Sequence, residues 1–179
     1  MLYTSLCRIW QSKSTAKKRI SVSTPTKNSG YAIYKLIERC QPLDLNSSYL
    51  YFIQSHYFQK TCALATCSND VIGFVSGFMD PLKENTLFIW QVAIDEPFRG
   101  HGLAQTLINY ILQQNPSSKF IETSITRDNQ SSQKLFSKLS KYLNTEMTQE
   151  KFLDQQTHFF KQHESEYLFR IGPFTLPKE

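Results

Sequence analysis

Ile20 and Val22 alternate with polar residues and the run stops at Pro25, which predicts a short first strand over Arg19–Ser23. From Tyr31 to Cys40 the period lengthens. Ile33, Leu36, Ile37 and Cys40 fall on one helical stripe, and Pro42 ends it. Asn46, Ser47 and Ser48 offer caps for a second helix over Tyr49–Tyr57. Three strand-like runs come next, Thr61–Cys67, Val71–Met79 and Thr86–Ile94, with Ser68-Asn69-Asp70 as the hairpin turn between the first two. The third run is apolar on both alternating sets, so it is expected at the sheet's centre with both faces covered. Leu103–Gln114 turns Leu103, Leu107, Ile108 and Ile111 inward as a helix, and Phe120–Thr126 alternates again. A helix over Ser131–Leu143 rests on Leu135, Leu139 and Leu143, and Glu166–Ile171 is the final strand. This order contains one β-α-β crossover, which makes two central strands parallel. The predicted class is α/β, a mixed central sheet flanked by helices. With no internal repeat or linker, residues 19–175 are expected to form one domain.

Charge changes the picture less than its total suggests. The chain of 179 residues carries a formal +5, from 20 Lys and Arg against 15 Asp and Glu. Five of those basic residues, Arg8, Lys13, Lys17, Lys18 and Arg19, precede Ile20 with no acidic residue among them. The chain from Ile20 onward is formally neutral, so no domain-wide nucleic-acid face is expected. Residues 1–18 read as a disordered basic tail, although their Ser/Thr-rich, acid-poor composition is shared by organelle transit peptides. No apolar run approaches the roughly 20 residues that a membrane helix needs, so no membrane association is expected. Cys7, Cys40, Cys62 and Cys67 form no CxxC pair and have no histidines at zinc spacing. Reduced thiols in a cytoplasmic protein and no metal are the expectation.

The sharpest chemical signal is Arg99-Gly100-His101-Gly102-Leu103-Ala104, placed between the apolar third run and an amphipathic helix. Two glycines let successive N–H groups point into one concavity, and the helix adds its positive end, an assembly suited to a pyrophosphate. No Gly-Lys-Ser/Thr succeeds it, and the spacing is not G-x-G-x-x-G, so neither a Walker loop nor a dinucleotide fingerprint is present. Taken alone, so short a turn also fits many loops without a ligand.

The spacing of Arg99, Gly102 and Ala104 resembles the acetyl-CoA turn of GNAT N-acetyltransferases. Four further segments resemble the L-2,4-diaminobutyrate acetyltransferases of ectoine biosynthesis: Pro42–Tyr51, Gly73–Gly77, Leu87–Ala93 and His163–Phe169. The similarity runs from about Tyr31 to Ile171. It implies the GNAT fold, acetyl-CoA as co-substrate, acetyl transfer to the γ-amine of L-2,4-diaminobutyrate, and a homodimer. It also implies a bulged strand whose Gln91, Val92, Ala93 and Ile94 pair with the pantetheine arm, while Arg99, Gly100, His101, Gly102, Leu103 and Ala104 hold the pyrophosphate. A developing oxyanion at the thioester would be met by a backbone amide of that strand.

The same resemblance points to individual side chains, each with a plainer alternative. Asp44 is the expected anchor for the substrate's α-ammonium, against a role as a helix-capping or turn residue. Tyr49 is expected near the same entrance, and Trp90 would wall the substrate or stack on its ammonium, against an ordinary core role. His163 would orient the amine or act as its base, with Glu166 as a second ammonium acceptor. Glu122 is a further acid–base candidate, with a salt bridge as the equal alternative. Phe136 stands where many GNAT enzymes carry the tyrosine that protonates the departing thiolate. Tyr49 would then take that part, or the thiolate leaves unassisted. The competing functions are a GNAT enzyme for another amino acid, polyamine or protein amine, and a non-catalytic acyl-CoA-binding module.

Overall fold

Strand and helix formation track the periodicities closely in the computed structural model, which describes residues 19–176. The basic tail read for residues 1–18 lies outside the described residues. The elements in order are β1 (Ile20–Ser23), α1 (Gly30–Arg39), α2 (Ser48–Tyr57), β2 (Ala63–Cys67), β3 (Asp70–Met79), β4 (Thr86–Ile94), α3 (Leu103–Gln114), β5 (Phe120–Thr126), α4 (Gln130–Tyr142), β6 (Met147–Leu153) and β7 (Glu166–Ile171). The strands hydrogen-bond in the order β1-β2-β3-β4-β5-β7-β6. β4 and β5 are the parallel pair, with Thr86↔Phe120, Leu87↔Ile121 and Phe88↔Glu122 in register. That ladder ends at Phe88.

The chain divides into two compact units. Among the described residues, the first holds those up to Ser76 together with Gln91–Ile111. Its core gathers Ile33, Leu36 and Ile37 of α1, Tyr51 of α2, Cys62, Leu64, Phe74 and Ala93. Ser68 and Asn69 both adopt positive φ, 52° and 73°, so the β2–β3 hairpin closes through a two-residue turn. Arg39, at the end of α1, donates to the Val71 carbonyl at 2.6 Å and pairs with Asp95 at 3.1 Å, which ties the helix to the segment after β4.

The second unit holds Gly77–Trp90 and the described residues from Leu112 onward. Ile121 and Ile125 of β5, Phe136 and Leu139 of α4, and Leu168 and Phe169 of β7 are buried there. β7 pairs antiparallel with β5 on one side and β6 on the other.

Two expectations need correction. β6 is a seventh strand where none was read. Its five central residues are exposed, so it carries no alternation, and its strand state comes from pairing with β7 at the sheet's margin. β4 is central as expected, but only one of its faces is fully covered. Leu87, Ile89, Gln91 and Ala93 are buried, whereas Phe88, Val92 and Ile94 are half-buried and Trp90 is 49% exposed. An apolar residue on both sets therefore did not mean burial on both.

Candidate active site

In the first unit, the turn after β4 has the backbone its glycines foretell. Gly100 and Gly102 sit at φ +80° and +79°, a region that L side chains avoid, and a Cβ built on either would meet no atom within 4 Å. The space beside the turn is open, and the stretch from Arg99 to Gly102 is exposed. The Gly102 carbonyl accepts from the Thr106 amide at 3.0 Å and so closes the first turn of α3, whose leading N–H groups have no partner within the helix. Arg99 is anchored by its Nε, which donates to the Ile94 carbonyl at 2.8 Å. Cys40 Sγ donates to the same oxygen at 3.5 Å, and burial pushes that thiol's pKa up, which keeps it protonated. These features fit a diphosphate: open amides, a helix start and a guanidinium fixed at its neck. Gly102→Val forces a β-branched residue into positive φ. The acetyl-CoA KM should rise about tenfold or more, since the strain alone costs roughly 1–2 kcal/mol. Initial rates at varied acetyl-CoA check this.

The stretch before α2 is held to the central strand by side chains. Gln91 Nε2 donates to the Asp44 carbonyl at 2.8 Å, and Tyr51 Oη donates to Gln91 Oε1 at 3.5 Å. The Asn46 amide donates to the same Tyr51 hydroxyl at 3.3 Å. The N-cap position of α2 is Ser47, whose side chain makes no capping bond, and Asp44 lies three residues before it. Tyr49, in the first turn of α2, is 71% exposed.

In the second unit, Glu122 is 2% exposed and fully engaged. Lys83 Nζ donates to both carboxylate oxygens, at 2.9 and 3.0 Å, and Arg170 Nη1 donates to Oε1. This is the salt-bridge alternative realised, a buried anion with two cations. His163 lies 3.8 Å from Glu166 through Nε2, and its Nδ1 meets the Glu164 carbonyl at 2.8 Å. A carbonyl only accepts, so Nδ1 is the donor in this contact and Nε2 is the nitrogen that faces Glu166.

His163 belongs to a loop built around Asp154. Asp154 Oδ1 accepts from the amides of Gln156 and Thr157 at 2.8 and 3.0 Å, and Lys151 pairs with Oδ2. The Lys151 ammonium first, then those amides, hold the Asp154 carboxyl well below the usual carboxylate range. Such a depressed group gives stability above its ordinary pKa that is lost only as pH falls through the lowered one. Phe159 in this loop packs its ring 4.7 Å from that of His163.

The profile of the Acetyltransferase (GNAT) family matches residues 30–140. An L-2,4-diaminobutyric acid acetyltransferase of Methylotuvimicrobium alcaliphilum is 41% identical over 89% of this chain and 94% of its own. The enzyme of the same name from Vibrio parahaemolyticus is 44% identical over 82% of each chain. Among solved structures, the diaminobutyrate acetyltransferase of Paenibacillus lautus, in complex with L-2,4-diaminobutyric acid and coenzyme A, superposes with a TM-score of 0.83. It is 30% identical over 91% of this chain and all of that one. This chain belongs to the diaminobutyrate acetyltransferase family of GNAT enzymes.

Within this acetyltransferase, Asp44 is joined to Gln91, His163 to Glu166, and Glu122 to Lys83 and Arg170. Phe136, on α4, is 1% exposed, and its benzyl side chain has no proton to give a thiolate. The sequence reading passed over Tyr51, Lys83, Arg170 and Asp154. Tyr51 lies inside the Pro42–Tyr51 segment already singled out, so a buried hydroxyl on that stripe was within reach. The others are ordinary charged residues until the fold supplies their partners.

Proposed function

We propose that Asp44, Trp90, His163 and Glu166 serve the reaction of this family. The enzyme transfers the acetyl group of acetyl-CoA to the γ-amine of L-2,4-diaminobutyrate, giving N4-acetyl-L-2,4-diaminobutyrate, the ectoine precursor. The observation that carries this activity is the match to the Paenibacillus lautus enzyme solved with both diaminobutyrate and coenzyme A.

The amine must lose a proton, attack the thioester carbonyl and expel the CoA thiolate. The β4–β5 ladder ends at Phe88, and Gln91–Ile94 lie past its end, which supports the amides on that edge as partners for pantetheine and for the oxyanion. The Arg99–Ala104 turn takes the diphosphate. Asp44 holds the α-ammonium, and half-exposed Trp90 offers its face to a cation. His163 Nε2 removes the amine proton, with the Glu166 carboxylate 3.8 Å away. The thiolate, of modest basicity, leaves with a proton from Tyr49 or from water. A cytoplasmic homodimer completes the proposal. The dimer is supported by the family resemblance, and the cytoplasm by the buried free thiols Cys40, Cys62 and Cys67.

A substrate panel tests the activity. With saturating acetyl-CoA, CoA release should show the highest kcat/KM for diaminobutyrate, with lower values for diaminopropionate, ornithine and lysine. Equal values across the panel would mean a general amine acetyltransferase, and no release would mean a binding module.

A further inference from the structure

Gln91 is the one polar residue on the buried set of β4, between Ile89 and Ala93, which are both 0% exposed. A glutamine in that position costs free energy unless its amide is satisfied. Here it is satisfied by the chain before α2. Its Nε2 holds the Asp44 carbonyl, and its Oε1 accepts from Tyr51 Oη. Tyr51 is itself 0% exposed, and its hydroxyl receives the Asn46 amide. Two buried side chains thus hold the backbone at both ends of the stretch Asp44–Asn46. That stretch has no helix or strand of its own, and these bonds tie it to β4 and α2.

We propose that Gln91 and Tyr51 are specificity-determining positioning residues that select the length of the diamine. The inference rests on the reading of Asp44 as the α-ammonium anchor. A diamine bound there must present its distal amine to the thioester on β4, the strand that carries Gln91. The Gln91 bond to the Asp44 carbonyl fixes the separation of anchor and strand directly. A fixed separation suits one chain length. Diaminopropionate is one methylene too short and ornithine one too long. Loosening the bond lets the Asp44 stretch shift and take the neighbouring lengths.

The test uses Gln91→Met, which keeps an unbranched chain of similar length, and Tyr51→Phe, which removes only the hydroxyl. The kcat/KM ratio of diaminobutyrate over ornithine should fall about three- to tenfold in each, the value of one or two ordinary hydrogen bonds. A selectivity ratio is independent of the fraction of enzyme that is folded, so a purely structural loss would lower both substrates alike and leave it unmoved. An unchanged ratio in Tyr51→Phe overturns the proposal even if Gln91→Met fails to fold. Asp44→Asn in the same assay separates the two layers. If it lowers diaminobutyrate turnover while the ratios of the other two variants stay at wild type, the anchor stands and the length selection falls. If Asp44→Asn leaves turnover unchanged, the anchor reading has failed, and the length selection that rests on it falls too.

Discussion

Asp44→Asn should lower kcat/KM for diaminobutyrate about ten- to hundredfold, because one charge-assisted hydrogen bond is worth roughly 1.5–3 kcal/mol and each 1.4 kcal/mol is about tenfold. The loss should fall on the amine alone. In the proposed site acetyl-CoA is met by Gln91–Ile94 and the Arg99–Ala104 turn, and neither would depend on the charge at residue 44. Asparagine also leaves the residue 44 carbonyl in place to accept from Gln91, so the stretch before α2 keeps its anchor. A capping role predicts no change at all, since asparagine caps as well as aspartate. Steady-state kinetics with each substrate varied in turn decide the matter. Wild-type diaminobutyrate kinetics in the variant would move the ammonium anchor to Glu166.

Glu122→Ala should destabilise the fold by about 3 kcal/mol, the lower end of what removing one partner from a buried ion pair costs. The lower end applies because the cations left behind can still reach water. The Lys83 and Arg170 side chains are 47% and 32% exposed, whereas Glu122 is 2% exposed. For a chain of this length the Tm should drop by roughly 6–12 °C. Thermal and urea unfolding measure the loss, and the pH–rate profile supplies the contrast. A structural carboxylate leaves the shape of that profile unchanged. A variant with wild-type Tm and a missing limb in its pH profile would restore Glu122 as an acid–base group.

The ends of β4, α3, β5 and β7 fall where the sequence reading placed them, because each is bounded by a local signal: a glycine turn, a proline, or a clear change of period. The backbone of the Arg99–Ala104 turn was legible for the same reason, since positive φ at Gly100 and Gly102 is a property of those residues and their neighbours alone. The partners of the site were not. Gln91 and Asp44 are 47 positions apart, and Arg170 and Glu122 are 48 apart. No periodicity links such residues before the strands are paired. Burial of a polar side chain is equally silent in sequence. Gln91 looked like a backbone contributor to cofactor binding, and its side chain turned out to hold the Asp44 stretch. The outer face of β4 misled in the opposite sense, because Trp90 and its alternate neighbours are apolar without being covered.

β6 escaped notice because Thr148, Gln149, Glu150 and Lys151 have no apolar alternation, and among the described residues it stands last in the sheet with only β7 for a neighbour. A strand in that place presents a row of unpaired backbone groups on its outer side, which is a template for edge-to-edge aggregation. Glu150 and Lys151, both exposed, make that edge a poor template, since another strand laid against it would have to desolvate their charges. The lack of pattern that hid β6 from the sequence reading is what lets the sheet end there without recruiting more chain.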